Sequence, residues 1–227
     1  MSHPADLWAE MLWQVGYALC HQLPERSFFI GGYQLPVCAR DTGTMLGFGL
    51  VLAYYLARKR WKRARLPDVP VLVAAGIGFA LFAFDGLSSY IGLRDTSNEI
   101  RLISGLGFGL SLGVMMLTVL SYIAKGDIER RTFDWKDLLL LLPLLALLYF
   151  AVTTDLGAAW YYVISTAVIM FLVLLAGTLF FVLFNLLTED KPRWHDLKVT
   201  VPLTVVTVAL MLIVLWFFHN ATGEFIT

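Results

Sequence analysis

The chain has 227 residues, 59% of them hydrophobic and only 15% charged, with a mean hydropathy of +0.73. A soluble domain carries about 25% charged residues; here the apolar excess falls in runs of roughly 15 to 30 residues, long enough to cross or nearly cross a bilayer core about 30 Å thick, which excludes a soluble globular protein. Lys plus Arg equals Asp plus Glu at 17 each, and the basic residues cluster beside the apolar runs and not on a soluble face, which argues against a nucleic-acid partner.

The start, Met1-Ser2-His3-Pro4-Ala5-Asp6, lacks a basic n-region and a suitable cleavage site, so no secretory signal peptide is expected and the first apolar stretch stays in the mature protein. In the stretch 7–23, Leu7, Trp8, Met11, Leu12, Val15 and Leu19 recur at helical spacing. It reads as an interfacial or re-entrant helix, with a short seventh span as the alternative. Six transmembrane helices are expected, about 42–58, 69–91, 98–124, 137–153, 158–187 and 198–219. The fold class is therefore an all-α integral membrane protein in a single membrane domain, 1–227. Its first half, 1–124, is rich in glycine, and Gly105, Gly109 and Gly113 share one helix face, where small residues let backbones approach closely in lipid. The second half, 137–219, is Leu-rich and reads as a scaffold.

Orientation follows from the loops. Segment 58–65 carries six basic residues in eight; 125–136 and 191–198 are also basic; loops 92–97 and 154–157 hold one Arg between them. Cytoplasmic loops collect Lys and Arg, so the three basic loops are expected in the cytoplasm, with Cys20, His21, Cys38 and the C-terminus on the outer side of the cell membrane. Trp61, Trp135 and Trp194 then mark the inner membrane edge, and Trp160 and Trp216 the outer one. His195 and His219 read as interfacial.

Two polar stretches carry the chemistry. Cys20, His21, Cys38 and Asp41 offer thiolate, imidazole and carboxylate, the ligand types of zinc, and the loop between them, with Gly31-Gly32, can fold its two ends together. A Cys20–Cys38 disulfide is the competing assignment, because two cysteines on an oxidising side make one bridge. Asp85 follows the unbroken apolar run 74–84. A carboxylate there costs roughly 2.5–3.5 kcal/mol at mid-bilayer and needs a partner or a wet cavity. Arg101 is the expected partner, with Asn98 one turn before it, and the three would line an outward-facing polar pocket or form a structural bridge. Thr96 to Glu99 fits a capping box with Thr96 at the N-cap. Arg26, Arg40 and Arg94 have the fork geometry that suits a phosphate or an anionic headgroup.

These residues resemble a family of small prokaryotic membrane proteins known only as a domain of unknown function. The shared motifs are C-H-Q-x-P-E-R-S-F at Cys20 to Phe28, P-V-C-A-R-x-T-G at Pro36 to Gly43, D-G-x-S with a following G-x-R at Asp85 to Arg94, and N-x-x-R at Asn98 and Arg101. Relatives with cysteine in place of Asp41 imply a metal rather than a disulfide, while the aspartate rules out C-x-x-C redox chemistry in this chain. The resemblance implies site residues and no activity.

The leading expectation is an outward-facing site where Cys20, His21, Cys38 and Asp41 bind a metal, zinc first, and Asp85, Asn98 and Arg101 line the adjoining pocket. Metal-assisted hydrolysis or transfer on a lipid-linked or amphipathic substrate fits that site, with the bilayer and a lipid or anionic small molecule as partners. The alternatives are a small-solute transporter or channel, for which Ser111, Thr118, Ser121 and Asn185 make a sparse polar path, and an accessory membrane subunit with a structural Cys20–Cys38 disulfide.

Overall fold

The computed structural model describes residues 3–123 and 127–187, together with 209, 213 and 217. Nearly all of the span expected over 198–219, the basic loop 191–198, Trp194, His195, Trp216 and His219, and the Asn185 side chain lie outside the described residues. In chain order the described elements are α1 (Leu7–Tyr17), β1 (Phe29–Ile30), β2 (Tyr33–Gln34), α2 (Ala39–Ala57), β3 (Arg63–Arg65), α3 (Val69–Tyr90), α4 (Asn98–Ile123), β4 (Asp127–Arg131), α5 (Trp135–Thr153) and α6 (Ala158–Leu187).

Four of these helices, α3, α4, α5 and α6, are long and apolar enough to cross a membrane. The 19 residues of α2 run about 28 Å at 1.5 Å per residue. By contrast α1 has 11 residues, about 16 Å, too short to cross a 30 Å core. It lies against α6 instead: the Trp8 indole donates to Thr166 Oγ1 at 3.1 Å, and the Tyr162 hydroxyl donates to Asp6, the N-cap of α1. The expected all-α fold is qualified by two small sheets. Strands β1 and β2 form an antiparallel hairpin, and β3 pairs in parallel with β4. Strands of two or three residues carry no readable alternation, and the five residues of β4 are almost all exposed, which is why the sequence pattern misses these sheets.

Helix α4 is the central post. Its apolar window is 67% buried, against 17% for α5 and 22% for α6, whose large side chains face outward. Glycine explains the seam between α2 and α4. A Cβ on Gly43 or Gly105 would strike the backbone of the other helix at Leu102 or Arg40, and one on Gly47 or Gly109 would strike Leu106 or Thr44. With no side chains between them the two backbones touch, and the N-terminal ends of α2 and α4 come level. Helix α3 joins α4 in the same way where Gly78 meets Gly107.

At the other end of the bundle, the loop after α2 is tied to α5. The buried Arg60 guanidinium pairs with Asp137 and, at 3.1 Å, with Asp134, while Arg131 pairs with Asp68 at 2.6 Å. The basic residues of 58–65 and 127–136 therefore gather at one end, with Trp61 and Trp135 exposed there, and the motif residues gather at the opposite end.

Candidate metal and arginine site

Three elements deliver the first cluster. Helix α1 ends at Tyr17, and Leu19 and Cys20 donate their backbone N–H groups to the Gly16 carbonyl at 3.1 and 3.0 Å. Gly16 itself packs on the Pro36 backbone with no room for a Cβ, so the chain just after α1 lies beside the chain just before α2. Gln22, at φ +51°, buries its amide and donates to the carbonyls of Trp13 and Pro36 at 2.8 and 2.9 Å. Gln34 completes the clasp, donating to the Gln22 carbonyl at 2.7 Å and to Ser27 Oγ at 3.2 Å. The hairpin turn, Gly31 at φ +59° and Gly32 at φ +81°, suits a two-residue hairpin loop that needs two positive φ angles. Gly31 N–H donates to Asp155 Oδ1 at 2.8 Å, which ties the hairpin to the α5–α6 loop.

The result places Cys20, Cys38 and Asp41 together, with one ligand atom of each within 4.8 Å of the others. Both cysteines are free thiols, so the disulfide assignment is not what the structure contains. Cys38 is the N-cap of α2; its N–H donates to Cys20 Sγ at 3.2 Å and its thiol to Asp41 Oδ2 at 3.2 Å. The contact between the sulfurs splits their acidities: a hydrogen bond from Cys38 brings the Cys20 thiol below its ordinary range, while the same contact and burial push Cys38 up. His21, expected as a fourth ligand, has an exposed side chain and is not part of this group. Cys20 is buried where the chain turns out of α1, while the next residue, His21, is exposed.

The second cluster centres on Asp85, 2% exposed on α3. Its expected partner was Arg101; its actual partners are Arg40 and Arg94. Arg40 donates Nε and Nη2 to Oδ2 at 3.1 and 2.6 Å, Ser104 Oγ reaches the same oxygen at 3.2 Å, and Arg94 Nη2 donates to Oδ1 at 2.9 Å. A carboxylate offers about four acceptor positions, shared between its two oxygens; here most contacts fall on Oδ2, with Arg94 on Oδ1. Arg101 is left to donate to Asn98 Oδ1 at 3.0 Å. Asn98 in turn donates to the Ser27 carbonyl at 3.1 Å, which docks the first motif on the last. The arginines are also seated on α3 aromatics, Arg40 over Phe82 at 5.8 Å and Arg94 over Phe84 at 5.5 Å. The cap of α4 falls one residue later than expected, with Ser97 Oγ accepting from Ile100 N–H at 3.4 Å.

Arg40 therefore joins the two clusters: it lies between Cys38 and Asp41 in sequence and is ion-paired to Asp85. Its role was visible only as a candidate anion binder. Gln22, Gln34 and Ser104 carried no charge to mark them, although Gln22 stands inside the first motif.

The buried hydroxyls of α4 do not continue the polar site down the bundle. Ser111 donates to the Ala75 and Gly107 carbonyls, Thr118 to Val114, and Ser121 to Leu117. Each is satisfied by backbone.

Residues 20–116 match a family model described as a predicted membrane protein, DUF2085. An uncharacterized protein of Methanocaldococcus jannaschii is 35% identical over 108 residues, covering 48% of this chain and 67% of that relative. An uncharacterized protein of Methanothermobacter thermautotrophicus is 35% identical over 98 residues, covering 43% of this chain and 83% of that relative. No solved structure matches the chain. The matched residues include Cys20, Cys38, Asp41, Asp85 and Arg101.

Proposed function

The chain belongs to the DUF2085 family of predicted membrane proteins, and from that premise we propose that it is a multi-pass membrane protein with a zinc site of Cys20, Cys38 and Asp41 on its outer face. One observation carries the proposal: two thiols and a carboxylate, drawn from two separate segments of the chain, have ligand atoms within 4.8 Å of one another. Ligands at about 2.3 Å in a tetrahedral site lie roughly 3.8 Å apart, so a small inward movement suffices for all three to reach one ion. The donor set also suits zinc, a borderline-soft ion that takes sulfur and oxygen together.

Three protein ligands leave a fourth position open, the pattern of catalytic rather than structural zinc. Bound zinc would activate water or polarise a carbonyl or phosphoryl oxygen. The chain's own residues would supply the rest. Cys20, whose thiol is held below its ordinary range by its contact with Cys38, is the sulfur readiest to bind as thiolate. Arg40 and Asp85 hold the first turn of α2, and hence Cys38 and Asp41, against α3. The reaction class this favours is hydrolysis or transfer on a lipid-linked or amphipathic substrate that reaches the site from the bilayer. The gathering of basic residues at the far end of the bundle supports the outward orientation.

The test is metal analysis of the full chain purified without chelator. The expected result is about one zinc per chain, lost in Cys38→Ser and Asp41→Ala variants that stay monodisperse. No stoichiometric metal, or equal metal in the variants, contradicts the proposal.

A further inference from the structure

Arg26 and Arg101 lie within electrostatic reach of each other, and Arg101 also of Cys38; among the described residues neither arginine has an ion-pair partner. Asn98 fixes their relation, since it accepts from Arg101 at 3.0 Å and donates to the Ser27 carbonyl, one residue after Arg26, at 3.1 Å. The glycine seam fixes their distance from α2. Gly105 lies on the Arg40 backbone and Gly43 on Leu102, so Arg101, one turn before Gly105, stands level with the start of α2. Arg26, Arg40, Asp85 and Cys38 all interact electrostatically with Arg101.

Asp41 brings a carboxylate to the first turn of α2, where it accepts from the Cys38 thiol at 3.2 Å; Arg26 and Arg101 are not paired with it. Asp85 is already ion-paired with Arg40 and Arg94. Among the described residues, no carboxylate forms an ion pair with Arg26 or Arg101. No side chain caps the first turn of α2, whose N–H groups and dipole add positive potential at the same place. Like charges gathered at a partly open site are unfavourable without an anion between them, and guanidinium forks match the oxygens of a phosphate.

We propose that Arg26 and Arg101, assisted by Arg40 and the first turn of α2, bind the phosphate group of a ligand directly beside Cys20, Cys38 and Asp41. The binding itself does not require a metal. Its identification as the substrate's phosphate rests on the zinc reading above. A phosphate group can come from a lipid headgroup or from a soluble phosphate.

The experiment measures binding of inorganic phosphate to the detergent-solubilised full chain by calorimetry, and of phosphatidic acid in phosphatidylcholine vesicles by flotation, with zinc content determined on the same samples. Variants are Arg26→Gln, Arg101→Gln, Arg101→Lys and, at the far end of the bundle, Arg130→Gln. Loss of one charge-assisted pair weakens binding about tenfold or more, so the two Gln variants should show that loss, Arg101→Lys should recover part of it, and Arg130→Gln should match the parent. Arginine-dependent binding of inorganic phosphate identifies a soluble source, and arginine-dependent binding confined to phosphatidic acid vesicles a lipid one. Absence of saturable binding to either probe overturns the inference, as does binding unchanged in Arg101→Gln and Arg26→Gln. Zinc present without phosphate binding defeats only this inference; arginine-dependent binding without zinc defeats only the metal site.

Discussion

Arg40 Nη2 lies 2.6 Å from Asp85 Oδ2, an ion pair between α2 and α3 that joins the two motif stretches of the chain. A carboxylate 2% exposed inside an apolar bundle is tolerated because Arg40 and Arg94 compensate its charge, and removing one partner of such a pair leaves a charge without compensation.

The first prediction separates the arginines by what they give Asp85. Arg40 supplies two hydrogen bonds and its side chain is 22% exposed; Arg94 supplies one and is 39% exposed. Arg40→Ala should cost about 3 kcal/mol and Arg94→Ala about 1 kcal/mol, with Arg101→Gln close to neutral for stability because, among the described residues, no carboxylate forms an ion pair with Arg101. Thermal unfolding in detergent reads all three. If Arg101→Gln proves as damaging as Arg40→Ala, Arg101 and not Arg40 is the partner of Asp85.

A second prediction concerns the glycine seam. Gly105→Ala and Gly109→Ala place a Cβ against the backbone of α2, and such overpacking costs about 1–3 kcal/mol. Gly76 has open space around its Cβ position, so Gly76→Ala should be neutral or stabilise by up to about 1 kcal/mol through helix propensity. The seam variants should also raise the accessibility of Cys38 to maleimide, since they push α2 away from α4. Equal behaviour of Gly76→Ala and Gly105→Ala would show that α2 and α4 are not in backbone contact.

The third prediction is a pH dependence. Asp155 accepts from the N–H groups of Gly157 and Gly31, and these bonds hold its carboxyl below the ordinary aspartate range. A depressed folded pKa gives a contribution that is complete above the unfolded value, about 3.9, and lost as pH falls through the folded one. Hydrogen exchange at the Gly31 amide should therefore be slow at neutral pH and lose protection only below the ordinary aspartate range. In Asp155→Ala it should be fast throughout. Protection at Gly31 that persists in that variant would mean the hairpin is held elsewhere.

Helix positions were legible because apolar runs and their polar boundaries are strong signals: α3 was expected at 69–91 and spans Val69–Tyr90, and α4 at 98–124 and spans Asn98–Ile123. Helix α2 begins at Ala39, three residues earlier than expected, because Cys38 takes the extended cap conformation and Arg40 and Asp41 enter the first turn. Asp85 was legible as a costly charge. Its partner was not, because spacing along α4 shows which residues share a face but not which neighbouring helix that face meets. The glycines at 43 and 105 settle that meeting, and only in three dimensions. Cys20, Cys38 and Asp41 come together as expected, while His21 does not: adjacency in sequence does not put two side chains on one side, and here Cys20 is buried and His21 exposed.

X-ray absorption at the zinc edge of the purified full chain tests the central claim most directly. The expected spectrum has two sulfur scatterers at about 2.3 Å and oxygen ligands at about 2.0–2.2 Å, with one sulfur lost in Cys20→Ser and one in Cys38→Ser. A protein that binds no zinc at this site, or zinc surrounded only by nitrogen and oxygen and unchanged in both serine variants, would contradict it.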